Sequence, residues 1–246
     1  MRPGLSTLRT IPAFQHLSDK LLSEIDAIST ARVAEQGREL CPEGGAPTHL
    51  FYVLEGRVAL STTAPDGTRA VVEVLHPPSS FVLASLVLGQ PHLQAAHAVT
   101  RVRLLAIEGA PLRAMIERAP ELALALLHCL SRDFRNMILQ IRDLKVRTTA
   151  QRLGCFLLAL LPDPTATEAV IRLPFEKGLL AARLGCRQEN LSRAFAALRE
   201  LGVETRGSRV TIRDTARLTA FAMPDYLNHP ELAKNGAEGK VEAAVS

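Results

Sequence analysis

The chain has 246 residues, 47% hydrophobic and 22% charged, with 8 Phe, 2 Tyr and no Trp. That balance excludes a disordered or fibrous chain, and the length exceeds one ordinary domain, so two domains or one with an extension are expected. A formal net charge of +4 permits a nucleic-acid partner without requiring one. Cys41, Cys129, Cys155 and Cys186 form no CxxC pair, so neither a zinc site nor a disulfide framework is expected, and a reduced cytoplasm is the simplest compartment. The N-terminus lacks the apolar run of a signal peptide, and no stretch predicts a membrane span.

Residues 11 to 32 carry helical spacing through Leu17, Leu21, Leu22, Ile25 and Ile28. From Gly37 to about Ile107 the pattern becomes β, in short runs such as HLFYVLEGRVALSTT and RAVVEVL separated by turn signals at Pro42 to Gly45, Gly56, Asp66-Gly67 and Pro77-Pro78. Asp66-Gly67 predicts a hairpin, because both residues tolerate positive φ. About eight strands of this spacing predict a sandwich or jelly roll, here an N-terminal β-roll over 11–118 in an α+β chain.

After Pro111 the period turns helical, and Pro120 predicts a fresh start. Leu126, Leu130, Phe134, Met137, Ile141 and Leu144 then recur at spacings of four, four, three, four and three, read as the a/d seam of a coiled coil. A helix packed on its own domain produces such a stripe too. The length of this seam and its end in the charged run Arg142 to Arg147 fit a two-helix dimer contact better, over 119–146. PDPTAT at 162–167 reads as a loop inside a C-terminal unit at 147–222. The tail from 223 to 246 is polar without an apolar period and is expected to be disordered.

Within that unit, two predicted helices, Glu176 to Leu184 and Gln188 to about Leu201, flank a turn at Gly185, which is helix-turn-helix spacing. VETRGSRVTI supplies two β-compatible runs around Gly207-Ser208, as a hairpin wing would. On the second helix Leu191, Ala194, Leu198 and Leu201 share one side at ~100° per residue. Glu189, Ser192, Arg193 and Ala196 share the other.

The order of β-roll, seam helix, helix-turn-helix and wing resembles Crp/Fnr-type transcription regulators over roughly residues 11 to 221. HLFYVLEGRVAL followed by a DG hairpin looks like that family's cyclic-nucleotide-binding-type roll, and ENLSR at 189–193 looks like the ExxSR recognition pattern of its Fnr branch. The resemblance implies a homodimeric DNA-binding regulator, not an enzyme, with RNA polymerase as a further partner. Glu189, Ser192 and Arg193 would read bases in TTGAT- or TTGAC-like half-sites. An Arg bonds guanine O6 and N7 together, a carboxylate accepts from cytosine N4, and a Ser can approach a base edge or thymine methyl. Glu189 and Arg193 are also helix neighbours able to form a plain surface ion pair. Arg187, Gln188, Arg206 and Arg209 would contact phosphates, which position rather than specify.

In the family's cyclic-nucleotide binders, a short cassette supplies a carboxylate for the ribose and an Arg for the phosphate. Aligning FVLASLVLGQPHLQAAHAV at 81–99 with it puts Ala84 and Gln94 at those positions, so cyclic AMP is not the expected effector. No Cys precedes Cys41, which argues against the N-terminal iron–sulfur cluster of the oxygen-sensing type. PELALALL and the apolar cassette look like the Dnr/NnrR branch, whose likeness implies nitric oxide sensed through haem. Phe81, Leu83, Leu86, Leu88 and Leu93 would line its pocket, with His76, His92 and His97 as axial candidates and no other metal. Two other classes compete. A cupin-like metal enzyme needs clustered histidines, and no HxH occurs; a protein-interaction module with a degenerate helix-turn-helix is opposed by Glu189, Ser192 and Arg193 together.

Overall fold

The structure, a computed structural model, describes residues 2–65, 67, 69–173 and 176–224. Contacts divide the chain into two units, 1–136 and 137–246. The division falls inside one helix.

The first unit begins with α1 (Leu5–Arg9) and α2 (Asp19–Ala27). Ser18 caps α2 by accepting from the Leu21 amide, and residues 11–17 form turns that bury Ile11, Phe14 and Leu17. The helical spacing expected over 11–32 is thus realised over nine residues only. Strand β1 (Ser29–Ala34) starts inside the expected helix because it zips antiparallel onto β8 (Val102–Glu108), in register from Ser29↔Ile107 to Ala34↔Val102. A six-residue long-range ladder overrides local periodicity.

Between them lie β2 (Glu39–Cys41), β3 (His49–Glu55), β4 (Val58–Thr63), β5 (Arg69–Leu75), β6 (Ser79–Phe81), a short α3 (Leu83–Leu88) and β7 (Ala95–Ala98). Two four-stranded antiparallel sheets result, ordered β1-β8-β3-β6 and β2-β7-β4-β5, which is the jelly roll expected from the turn spacing. Phe51, Val53, Val58, Phe81, Ala96 and Leu104 fill one core; Phe14, Leu22, Ile25, Leu50, Tyr52 and Leu105 join the helices in a second. The β3–β4 turn needs Gly56: its φ is +81°, and a Cβ there would lie 2.3 Å from the Arg101 carbonyl oxygen. Asp66 of the predicted hairpin lies outside the described residues, although β4 and β5 do pair antiparallel.

After β8 come α4 (Gly109–Arg118) and the 27-residue α5 (Pro120–Val146), which starts at the predicted proline. The second unit adds α6 (Thr149–Leu158), β9 (Ala169–Arg172), α7 (Lys177–Arg183), α8 (Gln188–Arg199), β10 (Val203–Arg206), β11 (Arg209–Ile212) and α9 (Thr215–Ala222). Thr148 and Gln151 close a capping box on α6. The wing is a three-stranded sheet, β10-β11-β9, rather than the hairpin alone. Of the tail expected from 223, residues 225–246 lie outside the described residues.

Candidate nucleic-acid interface

Helices α7 and α8 occupy the two spans read from the sequence, and the turn between them is held tightly. Gly185 has φ +61°, and a Cβ on it would stand 2.5 Å from Cδ2 of Leu144. The last turn of α5 therefore packs on this corner. From α6, Arg152 donates through Nε to the Leu184 carbonyl at 2.9 Å and through Nη1 to the Arg147 carbonyl at 2.7 Å. Arg147, paired with Asp143, donates to the Met223 carbonyl at 2.8 Å. Charge-assisted bonds to carbonyls at helix ends satisfy acceptors that would otherwise lack donors.

Against this frame α8 presents two faces. Leu191, Ala194, Phe195 and Leu198 are buried, while Arg187, Gln188, Glu189, Ser192 and Arg193 are exposed. Phe195 joins the buried side although the sequence reading passed over it. Among the described residues neither Glu189 nor Arg193 enters an ion pair, so the local salt bridge that their spacing allows is not made. The Ser192 hydroxyl donates to the Gln188 carbonyl one turn back at 3.1 Å. Arg206 and Arg209 flank the exposed tip of the β10–β11 hairpin and face each other across it. Arg172 on β9 pairs with Arg209 in the same register and was missed, because its strand follows a segment read as loop.

Along α5 the seam needs one correction. Leu126 is 2% exposed and packs, with Leu130 partly buried beside it, in the first unit's own core. Leu127 is 55% exposed instead. With Leu127 replacing Leu126, the series Leu127, Leu130, Phe134, Met137, Ile141, Leu144 alternates three and four without a break. Phe134, Met137, Ile138 and Ile141 are exposed large apolar residues beyond the middle of α5, and Leu124 is exposed near its start. LALALL offers consecutive leucines, and local spacing alone could not choose between them.

Residues 31–119 match the cyclic nucleotide-binding domain, and residues 151–221 match the Crp-like helix-turn-helix domain. A global nitrogen regulator of Synechococcus elongatus is 30% identical over 175 residues, 68% of this chain and 77% of that protein. The chain belongs to the Crp/Fnr family. A CRP-like cAMP-activated global transcriptional regulator of Mycobacterium tuberculosis is 26% identical over 191 residues, 76% of this chain and 85% of that protein. FixK2 of Bradyrhizobium japonicum shares the fold at 22% identity, with a TM-score of 0.65 over 79% of this chain and 97% of its own. The protein is a DNA-binding transcription regulator, as the Crp-like helix-turn-helix match and the two regulators of Synechococcus elongatus and Mycobacterium tuberculosis indicate.

The sensor cassette of this Crp/Fnr regulator differs from the expected pocket. Phe81 stacks on Phe51 with ring centroids 5.0 Å apart in one core, whereas Leu83 and Leu86 are buried in the other. Leu88 and Leu93 stand in solvent, Leu93 at 84% exposure. The five do not gather around one cavity. Read as a line, they look like a single apolar wall; α3 winds the run into a helix and sends its leucines to different sides. Ala84 is exposed on α3, and Gln94 is half-buried just before β7.

The three histidines also separate. The His76 carbonyl accepts from the Ser79 hydroxyl. Buried His92 is held below the usual imidazole range by desolvation, and its Nδ1 has no partner. His97 on β7 is paired through Nε2 with the Glu39 carboxylate at 3.2 Å, and its buried Nδ1 is unpartnered. Burial pushes the Cys41 and Cys155 thiols up to about 11 and raises Cys129 and Cys186 as well, so all four stay protonated. Among the described residues no cluster of three or more His, Cys, Asp or Glu side chains is placed to hold a metal ion. Among the same residues no helix is long and apolar enough to cross a membrane.

Proposed function

We propose that this regulator acts as a homodimer that reads a pseudo-palindrome of TTGAT- or TTGAC-like half-sites, under a small effector other than cyclic AMP. The observation that carries the DNA reading is the uncommitted pair on α8. Glu189 and Arg193 are exposed, one turn apart, and not paired with each other, so both can meet a G·C pair in the major groove: Arg193 the guanine, Glu189 the opposite cytosine. Ser192 lies between them for a thymine. Arg187, Gln188, Arg206 and Arg209 border these residues and would hold phosphates. The stripe from Leu127 to Leu144, exposed at Leu127, Phe134, Met137, Ile141 and Leu144, supports the dimer, which sets two recognition helices one DNA turn, ~34–36 Å, apart. RNA polymerase is the partner such a regulator would recruit.

Arg193→Ala is expected to flatten preference at one base pair in each half-site, by ~1–3 kcal/mol, while leaving preference elsewhere unchanged. Binding to a panel of half-site variants measures it. Uniform weakening across the panel would make Arg193 a phosphate contact instead.

For the effector, Ala84 and Gln94 supply neither the carboxylate nor the cation that a cyclic nucleotide's ribose and phosphate need. Nitric oxide sensed through haem, as in the Dnr/NnrR branch, is supported by His97, where a carboxylate on one ring nitrogen with the other unpartnered is an arrangement that orients a metal-bound imidazole, although that second nitrogen is buried. The scatter of Phe81, Leu83, Leu86, Leu88 and Leu93 counts against a preformed haem slot. Cyclic AMP should leave thermal stability unchanged, whereas a true ligand at 100 times its Kd adds ~2.7 kcal/mol. Protein purified with haem supplied should show a Soret band that responds to nitric oxide and is lost in His97→Ala. Without that band, and with DNA binding indifferent to nitric oxide, the haem reading falls and the regulator remains.

A further inference from the structure

Only two residues, Arg147 and Thr148, separate the end of α5 at Val146 from the start of α6 at Thr149. A break this short between two helices is a natural pivot, and one side chain spans it. Arg152, one turn into α6, donates through Nη1 to the Arg147 carbonyl at 2.7 Å and through Nε to the Leu184 carbonyl at 2.9 Å, while Nη2 donates to the Thr149 hydroxyl at 3.4 Å. Leu184 is the C-cap of α7, so the Nε bond lands one residue before the Gly185 turn that aims α8. Arg147 adds a parallel tie, held by Asp143 of α5 on one side and by the carbonyl of Met223, the C-cap of α9, on the other.

An arginine suits this place for a geometric reason. Its guanidinium is a planar fork whose N–H directions are fixed relative to one another, so two carbonyls bonded to one fork are held at a set separation and angle. Both acceptors belong to the ends of different helices, where intrahelical donors have run out. Among the described residues Arg152 has no carboxylate partner, so its charge serves these carbonyls. It also reaches the start of α8: burial raises the Cys186 thiol, and the Arg152 guanidinium partly opposes that rise.

We propose that Arg152, backed by Arg147, is a positioning residue that sets the half-site spacing this regulator accepts. The inference rests on the dimer and DNA readings proposed above: the α5 seam fixes two helix ends about the dimer axis, and Arg152 fixes each recognition turn to its own helix end. One base pair added or removed between half-sites shifts them by ~3.4 Å and rotates them by ~34–36°, a misfit that the wild-type protein meets only by breaking the fork. A lysine keeps the charge but is a point donor on a flexible stem, so in Arg152→Lys the pivot is free to follow the DNA. Arg152 reads no base, and base preference lies outside its reach.

The test measures binding of full-length wild type, Arg152→Lys and Arg193→Ala to three kinds of duplex: inverted TTGAT half-sites with centres one turn apart, the same with one base pair inserted or deleted between them, and a single half-site. In Arg152→Lys the ratio of affinities for right and wrong spacing should shrink at least ~tenfold, since one charge-assisted hydrogen bond is worth that factor or more. Binding to the single half-site and the base preference read through Arg193 should be unaffected. Asp143→Asn, which loosens Arg147 without touching α6, should relax spacing in the same direction, and it carries the test where Arg152→Lys folds too weakly to assay. Spacing penalties equal to those of the wild type in both variants would overturn the proposal. So would equal weakening on every duplex, the single half-site included, which would make Arg152 a stability residue only. In either case a base preference flattened by Arg193→Ala still upholds the DNA reading. Wild-type binding indifferent to spacing overturns the proposal alone if base changes still matter, and the DNA reading with it if they do not.

Discussion

Gly56→Ala is expected to destabilise the β-roll by about 3 kcal/mol or more, one of the largest single-residue effects available in the first unit. Two costs add. At φ +81° an L-residue carries left-handed strain of ~1–2 kcal/mol. The new methyl group would also sit 2.3 Å from the Arg101 carbonyl oxygen, 2.8 Å from the Thr100 hydroxyl and 2.9 Å from Cγ1 of Val102. The first of these is backbone, so rotating a side chain cannot relieve it, and overpacking of this kind costs a further ~1–3 kcal/mol. Gly67 is the matched control, with φ +80° and, among the described residues, nothing within 4 Å of its would-be Cβ. Gly67→Ala should therefore lose the strain alone. Thermal unfolding of both variants by circular dichroism separates the contributions, and equal losses would show that crowding at Gly56 plays no part.

Met137→Asp is expected to dissociate the proposed dimer. Met137 is half-exposed in the single chain and would be enclosed when two α5 helices meet, so the substitution places an aspartate from each protomer in the same layer. Burying those charges unpaired costs at least ~3 kcal/mol, more than a hundredfold in Kd. Sedimentation should show monomers, with operator binding weakened and unfolding of the monomer little changed. Leu126→Asp makes the contrast: its target is 2% exposed in the protomer's own core, so it should unfold the first unit. A Met137→Asp protein that stays dimeric would place the interface elsewhere.

How much was legible in the sequence followed from how local the deciding forces were. The recognition helix could be read because its start, its Gly185 turn and its two faces are set within about twenty residues. The roll was legible as a class from its turn signals. Strand β1 was not, because Ile28 continues a helical spacing and only the distant β8 ladder ends it. The choice between Leu126 and Leu127 depended on which neighbour the first unit's core would claim. The cassette leucines failed for a related reason: the run reads as one surface until α3 winds it. Arg172 needed its partner strand β11, 37 residues further on, before it meant anything.

Helix α5 runs for 27 residues without a loop where the two units divide. In such an element length and phase are one variable, since each residue adds ~1.5 Å and ~100° together. A single residue inserted after Asn136 would swing Ile141 and Leu144 out of line with Leu127, Leu130 and Phe134, although no side chain had been replaced. Seven inserted residues would bring the stripe back to within ~20°. Among natural length variants of this helix, steps of seven should therefore be the tolerated ones.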